Sequence, residues 1–371
     1  MDAAQLATST QAVLLCTLAL SMALGVILHA THFCTMGAIS DAVLMHDDAR
    51  LKQWALSAVV AIWGFAAMHW AGWIDPRASI YGADTLLWLS SLVGGALFGV
   101  GMVLASGCAS KSLVRLGAGN LKSLVVLMVM GIVGLATLKG WLALARVNTL
   151  ETVYMHAPAQ AFVGSWLARQ TGWALPQASA AAAFCIGGIL LIWSLQGRAK
   201  THPAMVVGGA GVGLAVLAMW WITGVLGHGL EHPETLEAFF VATASGRMES
   251  FSFTAPVASL LDAFLYFSDG TKRLTIGMVS VLGVVAGAAF HAIGSGTFRW
   301  ESFVSKSDLA RHMLGGAFMG LGGVTAMGCT IGQGLSGLST LSWMSFLTLI
   351  AIGLGAWFTL FWQWRRMEAQ A

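Results

Sequence analysis

Long apolar runs separated by short polar stretches make up almost the whole chain. A bilayer core of about 30 Å needs roughly 20 apolar residues in one helix. Two shorter stretches, 161–170 and 251–267, predict helices that lie at the interface or re-enter the membrane. The longer runs predict about nine membrane-spanning helices, at 11–31, 54–74, 86–105, 121–145, 178–196, 204–227, 274–294, 311–328 and 339–363. The pattern therefore predicts an all-α integral membrane protein.

The composition supports this fold class. Hydrophobic residues make up 57% of the chain and charged residues only 9%, whereas soluble proteins carry roughly 25% charged residues. The spans alternate in direction. With a periplasmic N-terminus and a cytoplasmic C-terminus, the larger share of the 19 Lys and Arg falls on the cytoplasmic side, as the positive-inside rule requires. The net charge of +3 is small, and no basic stretch with interleaved aromatic residues indicates a nucleic-acid partner.

One apolar segment occurs twice. Residues 94–108 and 315–329 match at nine of fifteen positions, and each copy ends in Gly-Cys. The first copy lies on a predicted inward span and the second on an outward span, so the copies are antiparallel and predict an inverted internal repeat. A weaker match pairs His29-Ala30 with His291-Ala292, and we assign it to the same inverted relation.

The repeat divides a single membrane domain, 1–371, into halves. We expect a first half at 11–145, connecting spans and loops at 146–273, and a second half at 274–363. Inverted repeats place a substrate site near the midplane, where discontinuous helices meet.

Three of the five cysteines stand at breaks between apolar runs: Cys34, Cys108 and Cys329. Glycine beside such a residue lets a helix stop and restart, and a restarting helix points free N–H groups at an anion. A thiol is a soft, weak hydrogen-bond donor that suits a polarisable sulfur atom. The alternative is that these cysteines only fill space between helices, as we expect of Cys16 and Cys185.

Other residues at the breaks are candidates for supporting roles. Lys111 and Arg115 follow Cys108 at helical spacing, and they either attract an anion or only mark the cytoplasmic side. Histidines near the ends of spans allow a metal site, but backbone-bonded histidines are the simpler interpretation, and we predict no metal. The further supporting residues are Gly107, Gly328, Thr330 and Gln333, and the histidines are His29, His32 and His291.

At these residues the chain resembles the YeeE/YedE family of bacterial sulfur-compound transporters. The likeness rests on Phe33-Cys34, on both Gly-Gly to Gly-Cys segments with Lys111, and on 295–299. The resemblance implies an inner-membrane fold of nine spans with a pseudo-two-fold axis and re-entrant helices. It also implies that thiosulfate passes along three cysteines, here Cys34, Cys108 and Cys329, and that a separate TusA-like sulfur carrier is a possible cytosolic partner.

We therefore expect a transporter that imports thiosulfate or a related small sulfur oxyanion, with no cofactor and no enzymatic activity. No ATP-binding motif is present, so transport would be downhill, coupled to a gradient or drawn by consumption. Two alternatives stay open at this point. One is a membrane sulfurtransferase that holds a persulfide on Cys34 or Cys108, and the other is a subunit of a larger transport complex.

Overall fold

The computed structural model describes residues 3–157, 160–196, 203–229, 238–269 and 273–368, and most of them are helical. Parts of the predicted connection 228–273, namely 230–237 and 270–272, lie outside the described residues. The helices are α1 (Ala3–Ala30), α2 (Thr35–Ser40), α3 (Ala49–Trp70), α4 (Trp88–Leu104), α5 (Ala109–Gly117), α6 (Leu121–Lys139), α7 (Trp141–Thr149), α8 (Val163–Thr171), α9 (Leu175–Ser194), α10 (Pro203–Trp221), α11 (Thr254–Leu265), α12 (Ile276–Gly294), α13 (Lys306–Thr325) and α14 (Trp343–Glu368).

Strands contribute little to the fold. Two antiparallel pairs of two-residue strands join loops, the first between Thr85–Leu86 and Met155–His156 and the second between His228–Gly229 and Phe239–Phe240. Short π-helical turns extend α10 and follow the Cys329 break, the latter at Gly332–Gly337. The all-α class is therefore confirmed.

Eight helices in the described part of the chain are long and apolar enough to cross a membrane. The ninth predicted span, 311–328, corresponds to α13, which has 20 residues but carries Lys306, Asp308 and Arg311 in its first two turns. The predicted span 121–145 is interrupted at Gly140, where the backbone is extended and α6 gives way to α7. The two shorter predicted helices correspond to α8 and α11.

Helices α4 and α13 pack side by side in opposite directions, with backbone close to backbone. A Cβ atom built on Gly94 would lie 2.6 Å from the nitrogen of Ala326, and one built on Gly315 would lie 2.5 Å from the nitrogen of Ala105. Ala105 and Ala326 are equivalent positions of the two matching segments, as are Gly94 and Gly315. The contacts of one segment are therefore repeated, in reverse, by the other.

The neighbours of this pair repeat the same arrangement. Gly95 and Gly99 of α4 face the backbone of α14 at Thr348 and Ile352. The equivalent Gly316 and Gly320 of α13 face the backbone of α6 at Val126 and Met130. Residue numbers rise together in each of these contacts, so α4 runs parallel to α14, and α6 runs parallel to α13.

The weaker match between His29 and His291 was assigned wrongly. Contacts between α1 and α12 place Gly283 against Ser21 and Gly287 against Met22, so the two helices run parallel. Helices that correspond in an inverted repeat with an axis in the membrane plane must run in opposite directions. A match of two residues carries no information about direction, and this one reflects contact between the helices.

Candidate functional site

The chain breaks in the same way before each of the three candidate cysteines. The residue two positions before the cysteine has a left-handed backbone, with φ of 51° at His32, 55° at Ser106 and 56° at Met327. None of these residues is glycine, so each conformation costs roughly 1–2 kcal/mol and must be held by its surroundings. At all three sites a helix stops and the chain turns back before the thiol.

The turns at Ser106 and Met327 share their hydrogen bonds. Gly107 donates to the Met102 carbonyl at 2.8 Å, and Gly328 donates to the Gly323 carbonyl at 2.8 Å. Ser106 and Met327 each donate to the carbonyl three residues earlier at 3.1 Å. This is the Schellman type of helix end, which satisfies otherwise unpaired carbonyls, here with Ser106 and Met327 in the left-handed position that glycine usually takes. Gly107 and Gly328 thus belong to the turns themselves.

Backbone N–H groups hold two of the thiols in the same position. The Sγ atom of Cys34 accepts the N–H of Gly37 at 3.3 Å, and the Sγ of Cys329 accepts that of Gly332 at 3.4 Å. In both cases the donor is three residues further along the chain, so the thiol caps the start of the next helical segment. The positive end of that segment faces the thiol, which favours an anion there.

The three thiols come together from separate helices. Cys34 and Cys108 lie close enough to interact electrostatically, and the Sγ atom of Cys108 lies 3.3 Å from the Ser110 hydroxyl. On its other side Cys108 approaches the Thr330 hydroxyl, which is completely buried and forms no conventional hydrogen bond in the described part of the chain. Thr330 follows Cys329 directly, and Cys329 also lies within electrostatic range of Cys108. The three cysteines are therefore neighbours in the fold, and we call them the thiol cluster.

A cavity of about 500 Å³ lies next to Cys329; we call it the Arg247 cavity. It is bounded by the beginning of α12 and the ends of α6 and α13, and it carries two arginines, one glutamate and five serines. Those polar residues are Arg146, Arg247, Glu249, Ser245, Ser250, Ser252, Ser259 and Ser280, and Met327 and Gly328 form part of the wall. Cationic and hydroxyl donors of this kind suit the oxygens of an anion.

A second cavity of about 420 Å³ lies next to Cys108; we call it the Arg299 cavity. It is bounded by the ends of α4 and α12 and the beginnings of α6 and α13. The two cavities therefore lie at opposite ends of α6, α12 and α13. Ser106 forms part of its wall, with Arg115, Lys122 and Arg299 as cations and Glu301 and Asp308 as carboxylates. The thiol cluster is therefore flanked by a charged cavity at either end of these helices.

The predicted supporting residues divide into two groups. Lys111 lies close enough to Cys34 and Cys108 to interact with both electrostatically. Arg115 instead holds the turn, since its Nη1 donates to the Ser106 carbonyl at 2.8 Å. Gln333 is also structural: its Nε2 donates to the Ala326 carbonyl at 2.7 Å, and its Oε1 accepts the Ser345 hydroxyl at 2.7 Å.

Two residues of the site were not predicted. The Tyr81 hydroxyl donates to the Gly332 carbonyl and so holds the Cys329 break from the loop before α4. Burial raises the pKa of Tyr81 far above its usual value, which keeps this donor protonated. Burial also raises the pKa of Glu249. Neither residue belongs to a motif, and only the folding of distant loops brings them to the thiols.

The histidines near the helix ends contact each other. The Nδ1 atoms of His29 and His291 are 2.9 Å apart, so one ring donates to the other in place of the backbone partners expected for them. The described residues contain no group of three or more His, Cys, Asp or Glu side chains that could hold a metal ion.

A multi-pass helical membrane protein with buried polar groups and charged cavities at opposite helix ends belongs to the class of membrane transport proteins. The chain belongs to the Sulphur transport family, which it matches over residues 30–358. It is 27% identical over 350 residues to the thiosulfate transporter TsuA of Escherichia coli (strain K12), covering 90% of each chain. It is also 26% identical over 343 residues to the thiosulfate transporter TsuA of Spirochaeta thermophila (strain ATCC 700085 / DSM 6578 / Z-1203), covering 90% of this chain and 94% of that protein.

Proposed function

We propose that this protein imports thiosulfate, or a closely related sulfur oxyanion, along a path lined by Cys34, Cys108 and Cys329. The single observation that supports the proposal is that the three thiols are neighbours and that cavities with cations lie at both ends of the surrounding helices. Two relatives that match over 90% of this chain are named for thiosulfate transport, which supports the choice of substrate.

The hydrogen-bonding arrangement of the thiols is compatible with passing an anion from one thiol to the next. Backbone N–H groups occupy the acceptor side of Cys34 and Cys329, so each S–H proton is left to point elsewhere. An anion that reaches the cluster would accept hydrogen bonds from these S–H groups and from the buried Thr330 hydroxyl, with Lys111 as the nearby cation. Weak donors hold an anion loosely enough for it to leave again, as passage through several sites requires.

We further propose an inverted repeat with nine crossing helices. Helix α13 counts as the ninth because it lies antiparallel along α4, and the reciprocal glycine contacts support the relation. Close glycine contacts also join α1 to α12, at Gly25, and α3 to α10, at Gly209. We therefore propose halves of α1–α6 and α10–α14, with α7–α9 between them, in place of 11–145 and 274–363. We keep α8 and α11 as interfacial or re-entrant helices.

Orientation and energy supply follow from the same proposal. With the N-terminus in the periplasm of a bacterial inner membrane, the Arg247 cavity faces the periplasm and the Arg299 cavity the cytosol, where a separate TusA-like carrier would take up sulfur. Importing a dianion against an inside-negative potential costs about 5 kcal/mol per 100 mV. Uptake therefore needs either a coupled cation or rapid consumption of the substrate.

Uptake of labelled thiosulfate into proteoliposomes tests the function. Replacing Cys108 or Cys329 by alanine removes one S–H donor to the anion, a hydrogen bond worth about 1.5–3 kcal/mol, so uptake should fall roughly 10- to 100-fold. Cys16→Ala and Cys185→Ala are matched controls, because both side chains are exposed on the outer surface of the helices. Normal uptake by Cys108→Ala and Cys329→Ala would reject the thiol path.

The same preparation distinguishes transport from sulfur transfer. A transporter releases thiosulfate unchanged, and mass spectrometry of the protein after exposure should find no added sulfur on Cys34 or Cys108. A stable persulfide there, with no movement of label into the vesicles, would favour the enzyme instead.

A further inference from the structure

A single carboxylate stands in a cavity that otherwise suits anions. Glu249 lines the Arg247 cavity with Met327 and Gly328, the residues that lead directly to Cys329. Its side chain is half-buried, and its Oε1 accepts the backbone N–H of Ser245 at 2.8 Å and the Ser245 hydroxyl. A negative charge at this position opposes the entry of any anion into the cavity.

No cation neutralises this carboxylate in the described part of the chain. Arg247, on the same segment, instead directs its Nη1 to the Ser79 carbonyl at 3.4 Å. Arg146, which reaches the cavity from α7, forms an ion pair with Glu151 at 3.2 Å. Tyr81, on the loop before α4, is the other titratable group that faces Glu249, and it is neutral. Only neutral donors therefore hold the carboxyl group.

From this arrangement we propose that Glu249 is a proton-binding site linked to substrate: it takes up one proton when thiosulfate enters the Arg247 cavity. The inference rests on the proposed function and adds a coupled ligand to it. The step is a simple protonation, in which a proton from solvent bonds to a carboxylate oxygen and the group becomes neutral. Since Oε1 already accepts both Ser245 donors, a proton on the other oxygen leaves those hydrogen bonds in place.

Burial also supports this assignment, because it raises the pKa of Glu249 above the usual value of a glutamate. Binding of a dianion nearby raises that pKa further, since the anion stabilises the protonated carboxyl relative to the ionised one. By reciprocity, protonation strengthens anion binding by the same factor. One charge facing a dianion in a partly hydrated cavity changes affinity by roughly tenfold or more.

Calorimetry on the purified full-length protein in detergent tests the proposal. Thiosulfate is titrated in two buffers of different ionisation enthalpy, which counts the protons taken up per bound anion. At a pH between the pKa of Glu249 in the free protein and its higher pKa in the complex, a tenfold coupling should give an uptake of about half a proton per anion, and a stronger coupling brings the uptake closer to one. Affinity should weaken roughly tenfold as pH rises through the pKa of Glu249.

The variant Glu249→Gln mimics the protonated state and keeps an oxygen that accepts the Ser245 donors. It should take up no proton and should bind thiosulfate at alkaline pH about as tightly as the unaltered protein does at acidic pH. Glu368→Gln, the same change at the exposed end of α14, is the matched control and should keep the proton uptake.

The outcomes separate the two proposals. Thiosulfate binding without proton uptake by the unaltered protein overturns the role of Glu249 and leaves thiosulfate transport standing, even if Glu249→Gln cannot be purified. Undiminished proton uptake by Glu249→Gln overturns it as well. Absence of thiosulfate binding at every pH rejects the proposed function, and the proton site falls with it.

Discussion

Replacing Gly101 by alanine should loosen the packing of α4 against α13. A Cβ atom built on Gly101 would lie 2.7 Å from the carbonyl oxygen of Gly315 and 2.7 Å from the backbone nitrogen of Met319. These are backbone atoms, so only separation of the two helices relieves the overlap. Overpacking of this kind costs about 1–3 kcal/mol, and alanine recovers roughly 0.5–1 kcal/mol of helix propensity over glycine. The expected net loss of folding free energy is therefore about 1–2 kcal/mol.

The reciprocal contacts make a second, linked prediction. Gly322 is the counterpart of Gly101, and its Cβ would lie 2.5 Å from both the Gly94 oxygen and the Phe98 nitrogen. Gly322→Ala should therefore lose at least as much folding free energy as Gly101→Ala. Gly353→Ala is the matched control on α14, since a Cβ there meets no atom within 4 Å and only the gain in helix propensity applies.

Thermal unfolding of the purified proteins in one detergent, followed by tryptophan fluorescence, measures all three variants. A loss of 1–2 kcal/mol lowers the transition temperature by a few degrees in a chain of this size. If Gly101→Ala and Gly322→Ala unfold together with Gly353→Ala, the close backbone contact does not exist. If only one of the pair is destabilised, the packing is not reciprocal and the inverted repeat loses its support.

Two further changes test residues around the thiols. Gln333→Leu should lower the free energy of unfolding by about 2–4 kcal/mol, because the Ala326 carbonyl and the Ser345 hydroxyl lose their buried partner. Thermal unfolding measures this loss of stability. Lost uptake with unchanged unfolding would contradict a structural role for Gln333. Arg115→Met should lower thiosulfate uptake by up to about tenfold, because the Arg299 cavity loses one cation and the Ser106 turn loses a hydrogen bond. The loss of the cation alone should weaken the salt dependence of uptake. Uptake at two ionic strengths measures this effect, and an unchanged rate would show that the Arg115 charge does not act on the anion.

The long helices could be predicted because the bilayer imposes one dominant requirement on them. Every backbone polar group in the apolar layer must be satisfied internally, so each crossing appears as an apolar run of fixed length. Helix α13 satisfies the rule least well, because it carries charges in its first two turns, and its apolar run was predicted as the span 311–328, which contains most of the second copy of the repeat. The break at Gly140 was missed because apolar residues continue beyond it into α7.

The site could be predicted only as far as its residues lie in the repeated segment. Cys108 and Cys329 end two matching apolar runs, and Cys34 resembles them through the break that precedes it. Glu249 and Tyr81 belong to no repeated segment or motif. Their roles depend on which loops fold back over the Cys329 break, and the sequence does not indicate this. Sequence spacing likewise did not distinguish Gln333, locked between a carbonyl and a hydroxyl, from a residue that faces the substrate.

The burial of the thiols limits how the proposed path can work. Cys108 and Cys329 are completely inaccessible to solvent, so neither cavity delivers an anion to them unless the chain around them moves. The interface between α4 and α13 offers little room for that movement, since its backbones already approach closely at Gly94, Gly101 and Gly315. The turns at Ser106 and Met327 are different: each forms a cavity wall and holds a left-handed backbone at a cost in free energy. We therefore expect access to change by local rearrangement of these two turns around a rigid pair of helices.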